Sequence, residues 1–221
     1  MKKILITILT SMFVASAAMA GQYGIGVTGS IATVSAEGTE ADKDGTADTS
    51  VRQAEANETA IVPSIFLEYT WDNGFTLGYD YTIGSADVSA SKIKRTDDSF
   101  EAAQDGDRQA AAEIDDVMAI YAEIPMHAGL YAKGGYVQMD VNTKESFSGT
   151  LAGSYGNETV DGIMYGIGYK NSFGTNGFYK IEGTFTNMDT MTINSSTTDK
   201  GNKITADLDV TKATFALGYN F

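Results

Sequence analysis

Eight charged side chains fall where a strand pattern would turn them inward, and their types limit the chemistry open to them. Glu68, Asp80, Glu123 and Glu182 are carboxylates, and Lys133, Lys170, Lys180 and Lys212 are amines. A balanced set of opposite charges enclosed by strands is suited to internal pairing, because an enclosed charge without a partner is costly. Glu123 and Lys133 stand equally far from a short turn at Ala128, so they face each other across one hairpin. The functional alternative is a gate in which these pairs exchange partners to open a narrow passage.

Catalysis would need more. A nucleophile or general base must be placed beside a second group that activates it. The chain has a single histidine, His127, in the turn just named. No catalytic residue is expected, and no cofactor or metal site. Gly24, Gly26 and Gly29 match G-x-G-x-x-G, but no strand precedes them and no helix follows, so they do not make a dinucleotide site. Asp42, Asp44 and Gly45 hint at a calcium loop. The position that needs a bidentate glutamate is Gln53, and the glycine is misplaced.

The elements that position these charges are strands. Counting back from the end, Phe221, Tyr219, Leu217, Phe215 and Ala213 are apolar, while Asn220, Gly218, Ala216, Thr214 and Lys212 are small or polar. That is a two-residue period with one apolar and one polar face. It stops on an aromatic, as lipid-exposed strands do at a membrane boundary. Similar alternation marks residues 23–31, 61–71, 75–84, 114–124, 130–141, 163–170 and 179–185. Residue 114 is assigned the same face as Met118 and Ile120. Short turns are expected at 72–74, 126–129 and 171–177. Four long polar stretches, 35–59, 85–112, 142–160 and 187–203, are expected to be loops, with helix conceivable only over 100–112.

The start of the chain sets the compartment. Lys2 and Lys3 precede an apolar run, and Ala18-Met19-Ala20 forms an A-x-A cleavage site before Gly21. Residues 1–20 are expected to be a cleaved leader and 21–221 the mature domain. No later stretch has the roughly 20 apolar residues of a spanning helix. If the mature chain enters a membrane it must do so as a closed barrel, the form in which strands satisfy their backbone in lipid. There is no cysteine, so no disulfide framework, and 24 glycines and 12 tyrosines accompany only 2 prolines. Without Lys2 and Lys3 the chain carries 13 basic and 29 acidic side chains, near −16, which excludes nucleic acid as a partner. The resulting expectation is an all-β, antiparallel, up-and-down transmembrane barrel of about eight strands, with short periplasmic turns and long extracellular loops. Trp71, Phe75, Phe173 and Phe221 would form its periplasmic aromatic girdle.

The terminal FALGYNF, the segment GIMYGIGY ending at Tyr169 and the segment LYAKGGY ending at Tyr136 carry a resemblance. The layout resembles the small eight-stranded outer-membrane barrels, namely the OmpA transmembrane domain, OmpX and the opacity-type proteins. The resemblance implies the cell outer membrane, with its lipid and lipopolysaccharide as surroundings. It also implies that Phe215, Leu217, Tyr219 and Phe221 are read by the barrel-assembly machinery. Roles within that family differ. The expectation here is a structural or surface-interaction role through the acidic loops, with a surface ligand as partner, and a porin-like narrow channel as the alternative.

Overall fold

The computed structural model describes residues 21–43, 49–88, 93–97, 106–148, 154–194, 196 and 203–221. Eleven strands follow one another, from β1 (Gly21–Lys43), β2 (Thr49–Trp71) and β3 (Thr76–Thr82) to β4 (Ala86–Asp87) and β5 (Ile93–Asp97). Then come β6 (Gly106–Pro125), β7 (Leu130–Ser148), β8 (Glu158–Phe173), β9 (Gly177–Met188), β10 (Met191–Asn194) and β11 (Lys203–Asn220). They occupy eight lanes of one antiparallel wall. β3, β4 and β5 share a lane beside β6, and β10 continues the lane of β9 beside β11. β1 pairs with both β2 and β11, which closes the ring. The leader expected over residues 1–20, including Ala18 and Ala20, lies outside the described residues, and Gly21 opens β1.

The lower end of the ring is tight. Trp71 and Phe75 flank the first turn, where Gly74 takes a φ of +84°. Ala128 and Gly129 turn the chain between β6 and β7 with φ of +55° and +84°. Tyr23 stacks on Phe221 at 6.1 Å, and the Phe221 N–H donates to the Tyr23 carbonyl at 2.9 Å. Trp71 packs against Tyr69 at 4.8 Å and Phe75 at 5.4 Å, so aromatics do ring this end. Above them the outward residues Ile25, Val27, Ile31, Ile163, Ile167, Phe215 and Leu217 are exposed and apolar. This belt ends at a polar collar. Thr33 bonds Thr59 at 3.0 Å, Asn187 donates to Asp209 at 2.9 Å, and Gln138 donates to Asp161 at 2.8 Å.

The long polar stretches are not loops over most of their described length. β1 and β2 are each 23 residues, about twice the 9–11 needed to cross a membrane, and stay in register from Gly21↔Trp71 to Lys43↔Thr49. β7 continues to Ser148, and residues 106–112, where helix was conceivable, belong to β6. The reason lies in the sense of the alternation. Below the collar apolar residues face out and polar ones in. Above it Met139, Val141, Ile193, Ala206 and Leu208 face in, and Asp140, Asp207 and Asp209 face out. The upper wall therefore encloses an apolar core, as a soluble β-protein would.

Ile114 is a further correction. It lies in that core, 6% exposed, and not on the outer face with Met118. The β6–β7 register shifts between Asp115 and Met118, and Asp116 adopts a φ of +47°. A bulge of this kind inserts a residue and turns the following side chains to the other face.

Candidate functional site

Inside the lower half of the ring, space for side chains comes from inward glycines. A Cβ on Gly78 would overlap the Tyr121 ring, one on Gly168 the Tyr131 ring, and one on Gly218 the Phe178 ring. The aromatic rings lie along the wall and leave the axis to charged groups.

Six of the eight expected charges meet there. Lys180, on β9, is the hub. Its Nζ donates to Glu123 Oε1 at 2.6 Å and makes an ion pair with Glu68. Lys170 Nζ holds the other Glu68 oxygen at 2.6 Å. Lys133 Nζ donates to Glu182 Oε2 at 2.8 Å, and the Tyr131 hydroxyl donates to Glu182 Oε1 at 2.5 Å. The Tyr121 hydroxyl donates to Glu68 at 3.3 Å. Lys133 also lies 3.9 Å from the centre of the Tyr121 ring and Lys170 4.2 Å from that of Phe178. Three carboxylates and three ammoniums cancel. Lys180 and Glu68 are each 1% exposed, so the centre of the cluster is shut off from solvent among the described residues.

Glu123 and Lys133 are register partners, as their distance from the turn implied. Their ion pairs nevertheless run elsewhere, across the bore. Asp80 and Lys212 remain outside the cluster and have no ion pair among the described residues. They line a cavity of about 30 Å³ that also touches Thr28, Lys180 and Glu182. The Thr28 hydroxyl there is buried without a partner among the described residues. A second cavity, about 90 Å³, continues upward past Asp80 and Lys212 between Val62, Val88, Ile114 and Met139. Above it the apolar core closes the bore again, capped by Tyr155, whose hydroxyl donates to Glu40 at 2.8 Å.

Sequence reasoning did not find the second closure, because Val88, Tyr155, Val160, Met188, Met191 and Ile193 fall in stretches expected to be loops, and Met139 and Val141, at the end of an expected strand, are given no face there. The signal was available as the alternation Val137, Met139, Val141 against Gln138, Asp140, Asn142. His127 lies exposed in the β6–β7 turn. Gly24, Gly26 and Gly29 are part of β1. Of the calcium hint, Asp44 and Gly45 lie outside the described residues, while Asp42 belongs to β1 and Gln53 to β2.

The family model described as the outer membrane protein beta-barrel domain matches residues 5–221. The chain belongs to this family. The family places the protein in the outer membrane, which fixes the apolar belt as the lipid-facing zone. No curated protein matches the chain. Among solved structures, the outer membrane protein OprG from Pseudomonas aeruginosa is similar at 12% identity, with 92% of this chain and 97% of that one covered and a TM-score of 0.52. That likeness shows the fold alone. The outer membrane protein AlkL matches at 12% identity over 92% and 91% of the two chains with a TM-score of 0.45. The outer membrane protease OmpT from Escherichia coli matches at 11% over 92% and 99% with a TM-score of 0.42. The role of this member has to be argued from its own interior and wall.

Proposed function

We propose that this barrel acts at the cell surface as a structural and interacting protein, and not as an open pore or an enzyme. The observation that carries the proposal is the double closure of the bore: a neutral ionic cluster around Lys180 below, and the apolar core around Met139 and Leu208 above. An interior crossed by packed side chains at two levels leaves the outside of the extended wall as the surface where recognition can occur. Lipid and lipopolysaccharide surround the belt, and a surface ligand meets the strands above the collar. Phe221, stacked on Tyr23 at the seam of the ring, would be presented to the assembly machinery before closure. Planar-bilayer recording tests the proposal. The purified barrel should give no steady conductance steps, and reproducible open-channel steps would overturn it.

A second reading, a narrow gated passage, is favoured by one observation. The two cavities share Asp80, Ala119, Met164 and Lys212, so free space runs from the upper core down to the cluster. In that case Lys212 and Asp80 are the groups that would exchange with the Lys180 pairs. Steady conductance that changes in Lys212→Ala would support this reading over the first.

A further inference from the structure

Strands β8, β9 and β11 present a hollow to the lipid. A space of about 440 Å³ lies on their outer face against Tyr165, Ile167, Gly183, Phe185, Thr211 and Ala213. The register explains its floor. Gly183 pairs with Ala213, and one outward step above them Phe185 pairs with Thr211, so three small residues lie together. Nothing stands within 4 Å of the place a Cβ on Gly183 would take. On the β8 side Ile167 is the partner of Gly183, and the Tyr165 and Phe185 rings pack with centroids 5.4 Å apart.

The hollow has a direction. One outward step below Gly183 and Ala213, the partners Ile181 and Phe215 raise large exposed side chains. One step above Phe185 and Thr211, about 7 Å further along the strands, are Asn187 and Asp209 of the polar collar. The Asn187 amide donates to Asp209 Oδ1 at 2.9 Å. The other Asp209 oxygen has no hydrogen-bond partner among the described residues. A hollow in the belt forfeits dispersion contacts unless hydrocarbon fills it. The filling chain descends from the collar, so its head lies beside Asp209. An ionised carboxylate only accepts hydrogen bonds, so that head must donate one. The ester junction of a phospholipid has no N–H. An amide-linked acyl chain of lipopolysaccharide has one where the chain meets the sugar, and the collar lies toward the cell exterior, where that lipid is found.

We infer that the hollow floored by Gly183 and Ala213 binds one amide-linked acyl chain of lipopolysaccharide, whose N–H donates to Asp209. The hydrocarbon lies over Thr211, Ala213 and Gly183 against the Tyr165–Phe185 pair, and the sugar stays at the collar. A phospholipid is the weaker occupant, because its ester brings only acceptors to an acceptor. The inference rests on the lipid surroundings named in the role proposed above. It holds whether or not the bore conducts.

The test uses the full barrel in detergent with purified lipid A as the probe, and native mass spectrometry counts bound lipid through a titration. One lipid A should bind saturably. Phosphatidylglycerol, which is anionic but ester-linked, should bind at least about tenfold more weakly. Gly183→Leu and Ala213→Leu fill the hollow from two strands, and each should weaken lipid A binding by about tenfold or more. Gly29→Leu, also on the outer face with nothing within 4 Å but away from the hollow, should bind as the parent does. Asp209→Ala should weaken binding about three- to tenfold. The folded band on a gel confirms that each variant closes. Retention of lipid A by both hollow-filling variants, or equal loss in Gly29→Leu, would overturn the inference by placing the lipid elsewhere on the belt. Equal binding of phosphatidylglycerol would overturn it, since the amide would then not be read. Loss of binding by the parent in EDTA would overturn it too, by assigning the head to a bridging cation. Absence of saturable lipid A binding refutes the site and leaves the surface role standing. Conductance refutes the surface role and leaves the site.

Discussion

Glu123 and Lys133 sit opposite each other in the β6–β7 ladder, yet each directs its charge to β9 across the bore, Glu123 to Lys180 and Lys133 to Glu182. A pair confined to one hairpin would brace only that hairpin. Crossing pairs tie β2, β6, β7 and β8 to β9, so the cluster braces the lower ring as a unit.

Lys180 is therefore the residue whose loss is felt most. Lys180→Met removes the cation between two buried carboxylates and should destabilise the barrel by about 3–5 kcal/mol. Combining it with Glu68→Gln and Glu123→Gln should recover much of that loss, because the orphaned charges go too. Denaturant unfolding in detergent, followed by the shift between folded and unfolded bands on a gel, measures both.

The inward glycines make a space prediction. Gly218→Val drives a side chain into the Phe178 ring and should cost about 1–3 kcal/mol. Gly183→Ala, where nothing lies within 4 Å, should leave the unfolding midpoint unchanged. Equal effects of the two substitutions in the same assay would contradict this account of the wall.

The reversal of alternation at the collar predicts opposite outcomes for neighbours. Leu208→Ala, in the upper core, should cost about 2–5 kcal/mol. Asp207→Ala, one residue away and exposed, should change stability by less than about 0.5 kcal/mol. Protease resistance of the upper wall in folded samples gives the local readout, with Leu208→Ala cut faster than the parent.

The seam predicts a kinetic effect. Deleting Phe221 removes both its stacking on Tyr23 and the N–H bond to the Tyr23 carbonyl. The folded band should then appear more slowly in a refolding time course into lipid vesicles.

The lower barrel was legible in the sequence because lipid and bore impose opposite polarities on alternate residues. Phe215, Leu217 and Tyr219 against Thr214 and Ala216 show it plainly, and so do the inward Lys180 and Glu182. The upper wall was not, because the same two-residue period changes sign where lipid gives way to water. Val160, Met191 and Ile193 then look like apolar residues scattered in polar stretches. The bulge at Asp116 was hidden for a similar reason: it moves Ile114 to the other face without disturbing the composition around it. The partners of Lys180 were beyond reach, since they depend on how five strands curve round the bore.

Closure of the bore at both ends is tested most directly by chemical access to the space between. The chain has no cysteine, and Ala119, 9% exposed, lines the space between the cluster and the upper core. In Ala119→Cys, a membrane-impermeant maleimide should fail to label the folded barrel from either side, while the exposed control Glu55→Cys labels at once. Rapid labelling at position 119 in the folded protein would show an open bore and contradict the account.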